Sequence, residues 1–210
     1  MLSLRDLAEM SLVRGFAFTH EAVRDWETRF APLATAQLRA RRRGQGGAKW
    51  HTDETYLRVA GRRCYLHRAI DREGNLVEAM LGERRGMAAA QRFFAQALGI
   101  AGQAPAQVTT DGYDPYPRAI RETLGPDTRH RTSRDKNTRI EQDHRSVKQR
   151  YSPMRGFGRV TAAARCCAAS EEQRRYFRPV AASGEHASLA ERRRRFHERW
   201  AAAMTALAAA

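Results

Sequence analysis

Residues 50–59, 64–70 and 76–81 are three short runs rich in aromatic and β-branched side chains, separated by Ala60-Gly61 and by the turn sequence Asp71-Arg72-Glu73-Gly74-Asn75. Runs of that length joined by connections that short read as an antiparallel meander. A segment of helical period follows at 87–98, with Phe93, Phe94 and Leu98 on its apolar stripe, and then a short strand at 107–110. The order is strand, strand, strand, helix, strand, helix, short strand, helix, which makes this an α/β chain.

Acidic residues fall at particular places in that frame. By period-two alternation Asp53 shares a face with Leu57 and Val59, at the edge of an apolar layer, and Glu54 points the other way. Asp111-Gly112 closes the fourth strand, and a carboxylate at a strand's C-terminal end is where α/β sheets place ligands. Asp114, in the loop before Pro115, is the competing acid.

A third acid lies in 137–148, which reads as a helix. His144, Arg145 and Lys148 fall within about 60° of Glu141 on the helical wheel, whereas Ile140 and Val147 point roughly 100–120° away. Asp143 lies about 160° round and does not share the Glu141 face. A carboxylate suited to a divalent ion, followed two turns later by a lysine able to hold a phosphate, fits an enzyme acting on nucleic-acid backbones. A solvated helix laced with i,i+4 ion pairs would carry the same spacing.

The N-terminal segment reads as two helices around Gly15. The first is capped by Ser3 and carries Leu4, Leu7 and Met10. The second is capped by Thr19, with Val23, Trp26 and Phe30 along one stripe. This pattern fits a helix-turn-helix whose second helix offers His20, Arg24 and Arg29 to DNA, though on pattern alone a helical hairpin packed on the rest of the chain is the commoner outcome.

The charge balance points to a polyanionic partner: 38 Lys+Arg stand against 23 Asp+Glu, a net +15. Arg41, Arg42 and Arg43 precede the glycine-rich stretch 44–48, and Arg129, Arg131, Arg134, Lys136 and Arg139 precede the Glu141 helix. Both clusters would supply salt-sensitive phosphate contacts. The run 192–195, four arginines in a C-terminal helix, reads as a solvated face. Three cysteines offer neither zinc spacing nor a disulfide framework. The start lacks an apolar signal core and the alanine-rich end is too short for a bilayer of about 30 Å, so the reading is a bacterial cytoplasmic, nucleoid-associated protein with no membrane partner. The expected divisions are a DNA-binding module at 1–43, a linker at 44–48, a catalytic domain at 49–178 and a helical tail at 179–210.

Four blocks in order, Trp50-His51-Thr52-Asp53-Glu54-Thr55-Tyr56, Tyr65-Leu66-His67-Arg68-Ala69-Ile70-Asp71, Thr110-Asp111-Gly112, and Ile140-Glu141-Gln142-Asp143-His144-Arg145 with Lys148, resemble the DDE transposases of bacterial insertion sequences. The likeness is to their short, replicative, cointegrate-forming branch, and extends to Leu4-Arg5-Asp6-Leu7 and Val23-Arg24-Asp25-Trp26-Glu27. It implies the ribonuclease H-like fold shared with retroviral integrases: a mixed five-stranded sheet with flanking helices, preceded by a small helix-turn-helix module. That module is one helix shorter at its start than is usual in the family, and the interval from Asp111 to Glu141 is also short.

The resemblance further implies Asp53, Asp111 and Glu141 as the catalytic triad and the ligands of Mg²⁺, for which Mn²⁺ may substitute. Arg145 and Lys148 would be backbone clamps, with His144 against the scissile phosphate. Three acids suit two divalent ions about 3.5–4 Å apart, whose mutual repulsion the carboxylates offset. The implied partners are double-stranded DNA, as element ends and target, and further copies of the chain in a homodimer or larger assembly. Two rival expectations are a ribonuclease H-like nuclease that never joins strands and a non-catalytic DNA-binding remnant.

Overall fold

A computed structural model describes residues 3–133, 140, 151, 156–177 and 187–208. Helices α1 (Leu4–Leu12) and α2 (His20–Arg41) lead into the meander β1 (Lys49–Val59), β2 (Arg62–Asp71) and β3 (Leu76–Gly82). Then come α3 (Met87–Ala101), β4 (Gln107–Thr110), α4 (Pro115–Leu124), β5 (Arg129–Thr132), α5 (Val160–Phe177) and α6 (Leu189–Ala208).

The five strands form one sheet in the order β3-β2-β1-β4-β5. β1, β2 and β3 pair antiparallel, while β4 joins β1, and β5 joins β4, in parallel. A three-stranded meander extended by two parallel strands reached through helices is the ribonuclease H-like fold. The first four strands lie within two residues of where alternation puts them. β5 is a basic edge strand with no apolar alternation, and it supplies the short strand expected after the second of these helices.

Each sheet face has its own core. On one face Trp50 and Val108 pack with Phe93, Phe94 and Ala97 of α3 and Tyr116, Ala119 and Ile120 of α4. Burying an aromatic or large aliphatic side chain contributes roughly 1.5–3 kcal/mol, so this face carries much of the stability. On the other, Leu57, Val59, Cys64 and Leu66 pack with Ala163 and Cys167 of α5. The cysteines are free, with Cys64 and Cys167 buried. Among the described residues no helix is long and apolar enough to cross a membrane.

The N-terminal helices differ from the expected compact module. α1 begins with a reciprocal capping box between Ser3 and Asp6, and α2 is capped by Thr19, as the sequence suggests. A seven-residue connection, longer than the three or four residues of a tight helix-turn-helix, separates them. α2 continues through Pro32 for 22 residues, well past Phe30, the last residue of the apolar stripe read from the sequence. Proline removes one backbone donor in mid-helix, and packing along the second half of α2 offsets that loss. There Thr35 and Leu38 are buried, and Arg42 at the C-cap donates to both carboxylate oxygens of Glu172 on α5, at 2.8 and 2.6 Å. Nearer the start of α2, Arg165 of α5 grips Glu27 through two hydrogen bonds of 3.1 and 2.9 Å.

The 44–48 stretch is likewise docked. Trp50 Nε1 donates to the Gly46 carbonyl at 2.6 Å, and a Cβ at Gly46 would meet Ala101 Cβ at 2.4 Å, so only glycine lets this strand of backbone lie against α3. Residues 44–48 join α2 to the sheet as packed structure.

Candidate active site

Asp53 and Asp111 are brought together by strand register. The parallel ladder matches Lys49 with Gln107, Trp50 with Val108 and His51 with Thr109. Carried two residues further, that register sets Asp53 level with Asp111, the residue following β4. Neighbouring strands lie about 4.8 Å apart and level residues of a parallel pair point to the same face. The two half-buried carboxylates therefore sit side by side, on the face that carries α5. Asp114 is off this register, at the head of α4.

Local hydrogen bonds fix both acids. Asp53 accepts the Glu54 N–H at 2.7 Å. Asp111 Oδ1 accepts the Tyr113 N–H at 3.2 Å, an Asx-type turn that sets the carboxylate over the strand end. Gly112 between them has φ +98°, and its N–H donates to Thr110 Oγ1 at 3.3 Å.

Beneath the pair, on the opposite face, lies a polar network of which the sequence shows only that Glu54 points away from Asp53. Glu54 is ion-paired with Arg85, accepts from the Tyr116 hydroxyl at 3.3 Å and lies 3.5 Å from His67 Nδ1. Burial raises the Glu54 pKa, and Arg85 opposes that shift. Burial also raises the Tyr116 pKa far above the phenolic range, with Glu54, Asp53 and Asp111 adding to it, so Tyr116 remains a donor. Arg85 stacks 3.6 Å above the Tyr113 ring, and Tyr113 meets Tyr116 edge-on at 5.3 Å. The turn carrying Asp111 is thus bolted through Tyr113 to the residue that neutralises Glu54.

On the acid face Arg68 lies directly across the β1–β2 pair from Asp53, fully buried, and donates to Glu171 of α5 at 2.6 Å. The Arg68-Ala69-Ile70 run hints at a strand, but only the fold reveals that a helix more than 100 residues away supplies the counter-charge.

The remaining expected site residues are placed as follows. Glu141, His144, Arg145 and Lys148 lie outside the described residues. Ile140, just before them, is helical and fully buried, in keeping with the apolar face read from the sequence. Arg24 and Arg29 are exposed on α2, and His20 is next to Glu21 at 2.6 Å. Arg43 is exposed. Arg41 is exposed and donates to Tyr176 and Ala202. Arg42 departs from the surface role expected of it: at 8% exposure it spends its donors on Glu172 and the Val77 carbonyl. A guanidinium stapled inside the fold in this way is a structural residue before it is a contact for DNA.

Among the described residues no group of three metal-ligating side chains gathers. What gathers is a pair of adjacent, partly open carboxylates, which suits two of the oxygen ligands of a hard divalent cation.

Comparison with known proteins gives the family. The model of a family described as a DDE domain, that of IS240-type transposases, matches residues 47–178. The chain belongs to the DDE transposases of bacterial insertion sequences. The transposase is 34% identical, over 154 residues, to the transposases of the insertion sequence-like element IS431mec and of the insertion sequence element IS257 in transposon Tn4003, both from Staphylococcus aureus. Those alignments cover 71% of this chain and 67% of each relative.

Among solved structures, the simian T-cell lymphotropic virus intasome in complex with PP2A regulatory subunit B56 gamma is similar at 17% identity and TM-score 0.49, over 74% of this chain and 56% of that one. The HTLV-2 integrase catalytic core domain in complex with magnesium is similar at 15% identity and TM-score 0.43, over 74% and 99%. The strand order and pairing directions, not these scores, define the fold of the transposase.

Proposed function

We propose that Asp53, Asp111 and Glu141 form the acid triad of this transposase, and that it cleaves DNA at the ends of an insertion sequence and joins the freed 3′ ends to target DNA. The register that sets Asp53 level with Asp111 carries this reading. Of three acids dispersed in sequence, two become neighbours on one face of the sheet, each tethered by a backbone N–H.

Mg²⁺ is the proposed cofactor, with Mn²⁺ as a substitute; held by the triad, the divalent ions supply charge neutralisation for the phosphorane-like transition state and for the leaving oxygen. The chain's own residues do the rest. Asp53 and Asp111 bind and orient from the sheet, and Glu141 completes the ligand set. Arg145 and Lys148 hold the DNA backbone, and His144 contacts the scissile phosphate. Arg24, Arg29 and Arg43, exposed in or just after α2, and His20 at its start add contacts to duplex DNA. Since two element ends must be held at once, the active form is a dimer or larger assembly.

The test is divalent-dependent nicking and strand transfer on labelled duplexes that carry the flanking element ends, for the wild type beside Asp53→Asn and Glu141→Gln. Joined products that vanish in both variants support the proposal. Nicking without joining would make the protein a nuclease, and tight binding with no divalent-dependent chemistry would make it a DNA-binding remnant.

A further inference from the structure

Four arginines from three helices converge on a cavity of about 220 Å³ at the seam of α2, α5 and α6, lined by Arg41, Arg42, Arg175 and Arg199 with Glu172 and Tyr176. Three of the guanidiniums are committed. Arg42 holds Glu172. Arg41 donates to the Tyr176 hydroxyl at 2.8 Å and the Ala202 carbonyl at 3.0 Å. Arg199 donates to the Tyr176 carbonyl at 2.7 Å. Glu172 alone among these partners is charged, and it also faces Arg39 at 3.6 Å.

Arg175 makes no hydrogen bond or ion pair with any described residue. It is half-buried, and its pKa is lowered by burial, with Arg42 and Arg199 adding to the shift against Asp71 and Glu172. A desolvated cation beside two others is unfavourable unless a counter-charge joins it. Arginine forks suit one chemistry here, a tetrahedral oxyanion that accepts several N–H bonds at once.

We infer that the Arg41–Arg175–Arg199 cavity is a binding site for a phosphate group, separate from the acid triad. Asp71, whose field reaches Arg175, is level with Trp50, three residues and about 10 Å back along β1 from Asp53. The phosphate belongs either to a DNA backbone crossing the α2–α6 seam, which rests on the transposase reading, or to a free phosphate compound.

The experiment compares the full chain with Arg175→Met and Arg175→Glu. Thermal unfolding is followed with inorganic phosphate against sodium chloride at equal ionic strength, and binding of a duplex is followed as a function of salt. The wild type should gain a saturable phosphate-specific rise in midpoint that both variants lose. Arg175→Glu, which brings its own carboxylate to Arg41 and Arg199, should unfold no earlier than the wild type without phosphate and so controls for misfolding. A salt slope lower by about 0.9 in Arg175→Met assigns the site to a DNA phosphate. An unchanged slope with the phosphate response lost assigns it to a free anion. Phosphate and chloride acting alike on the wild type, with the slope unchanged in the variants, overturns the inference. The phosphate arm uses neither DNA nor divalent metal, so failure of the catalytic reading would leave its result intact.

Discussion

Replacing Gly112 by alanine tests whether the geometry of Asp111 depends on the turn that follows it. At φ +98° a side chain enters a region that L-residues avoid, at roughly 1–2 kcal/mol. The new Cβ would also lie 2.8 Å from Thr132 Cγ2 on β5. Thr132 is exposed and can turn about χ1, so relief of that contact adds only about 0.5–1.5 kcal/mol. The expected loss is about 1.5–3.5 kcal/mol, which for a chain of this size lowers the melting midpoint by roughly 3–14 °C. Because Gly112 donates to Thr110 and sits between Asp111 and its tether Tyr113, strand cleavage should fall further than stability does, measured well below the melting midpoint. Thr132→Ser removes the clashing methyl, so the double variant should recover the steric part and leave the backbone part. Circular-dichroism melting of the four proteins, with nicking rates at 20 °C, gives both quantities. A Gly112→Ala midpoint within a degree of the wild type, or full recovery by Thr132→Ser, would refute the assignment of the strain to the backbone.

His67 is fully buried, and burial, aided by Arg85 and Arg92, holds its pKa down to about 4. Its neutral form therefore stabilises the fold above the ordinary value near 6.5, and that contribution, on the order of 3 kcal/mol, is lost as pH falls from 6.5 through 4. Urea midpoints at pH 7 and pH 4.5 should drop more for the wild type than for His67→Gln; equal drops would sink the idea. Arg68→Met leaves buried Glu171 with only Arg174, at 3.6 Å, and should lower stability by up to about 3–5 kcal/mol in urea unfolding, while Arg68→Met with Glu171→Met should regain most of it. Arg43→Gln, at an exposed position, should leave the melting midpoint alone and lower the salt slope of duplex binding by about 0.9, and an unchanged slope would remove Arg43 from the DNA-contacting set.

Sheet and acid pair were legible because both obey short-range rules. Alternation through Trp50, Leu57 and Val59 fixes which way Asp53 points, and a glycine after Asp111 marks a strand end. The parallel register that brings them level is a long-range fact, reached in sequence only through family likeness. A short fifth strand was expected, but its bounds were not legible because an exposed edge strand reading Arg-His-Arg-Thr has no buried face to impose a period. The length of α2 was hidden because Pro32 argues locally for a stop, while the packing of Leu38 and the Arg42–Glu172 staple argue for continuation from the far end of the chain. Arg42 read as a surface charge for a related reason: within a run of three arginines, composition does not say which one the helix turns inward.

The acid pair itself works against the fold that holds it. If the carboxylates keep the roughly 5 Å spacing of their strands, they repel by between roughly 1 and 3 kcal/mol, depending on how much water screens them. The sheet, the Asx turn and the Tyr113–Arg85–Glu54 network impose that proximity, and nothing in the core benefits from it. Such stored repulsion is what a divalent ion relieves, so metal binding and folding should be coupled. Asp111→Asn keeps the Oδ1 that accepts from Tyr113 and deletes one charge. The variant should melt at or above the wild-type midpoint without metal, and should lose most of the wild-type rise in midpoint on adding Mg²⁺. A variant that melts earlier without metal would mean that the Asp111 charge supports the fold, and a metal-dependent rise that survives the substitution would place the ion elsewhere.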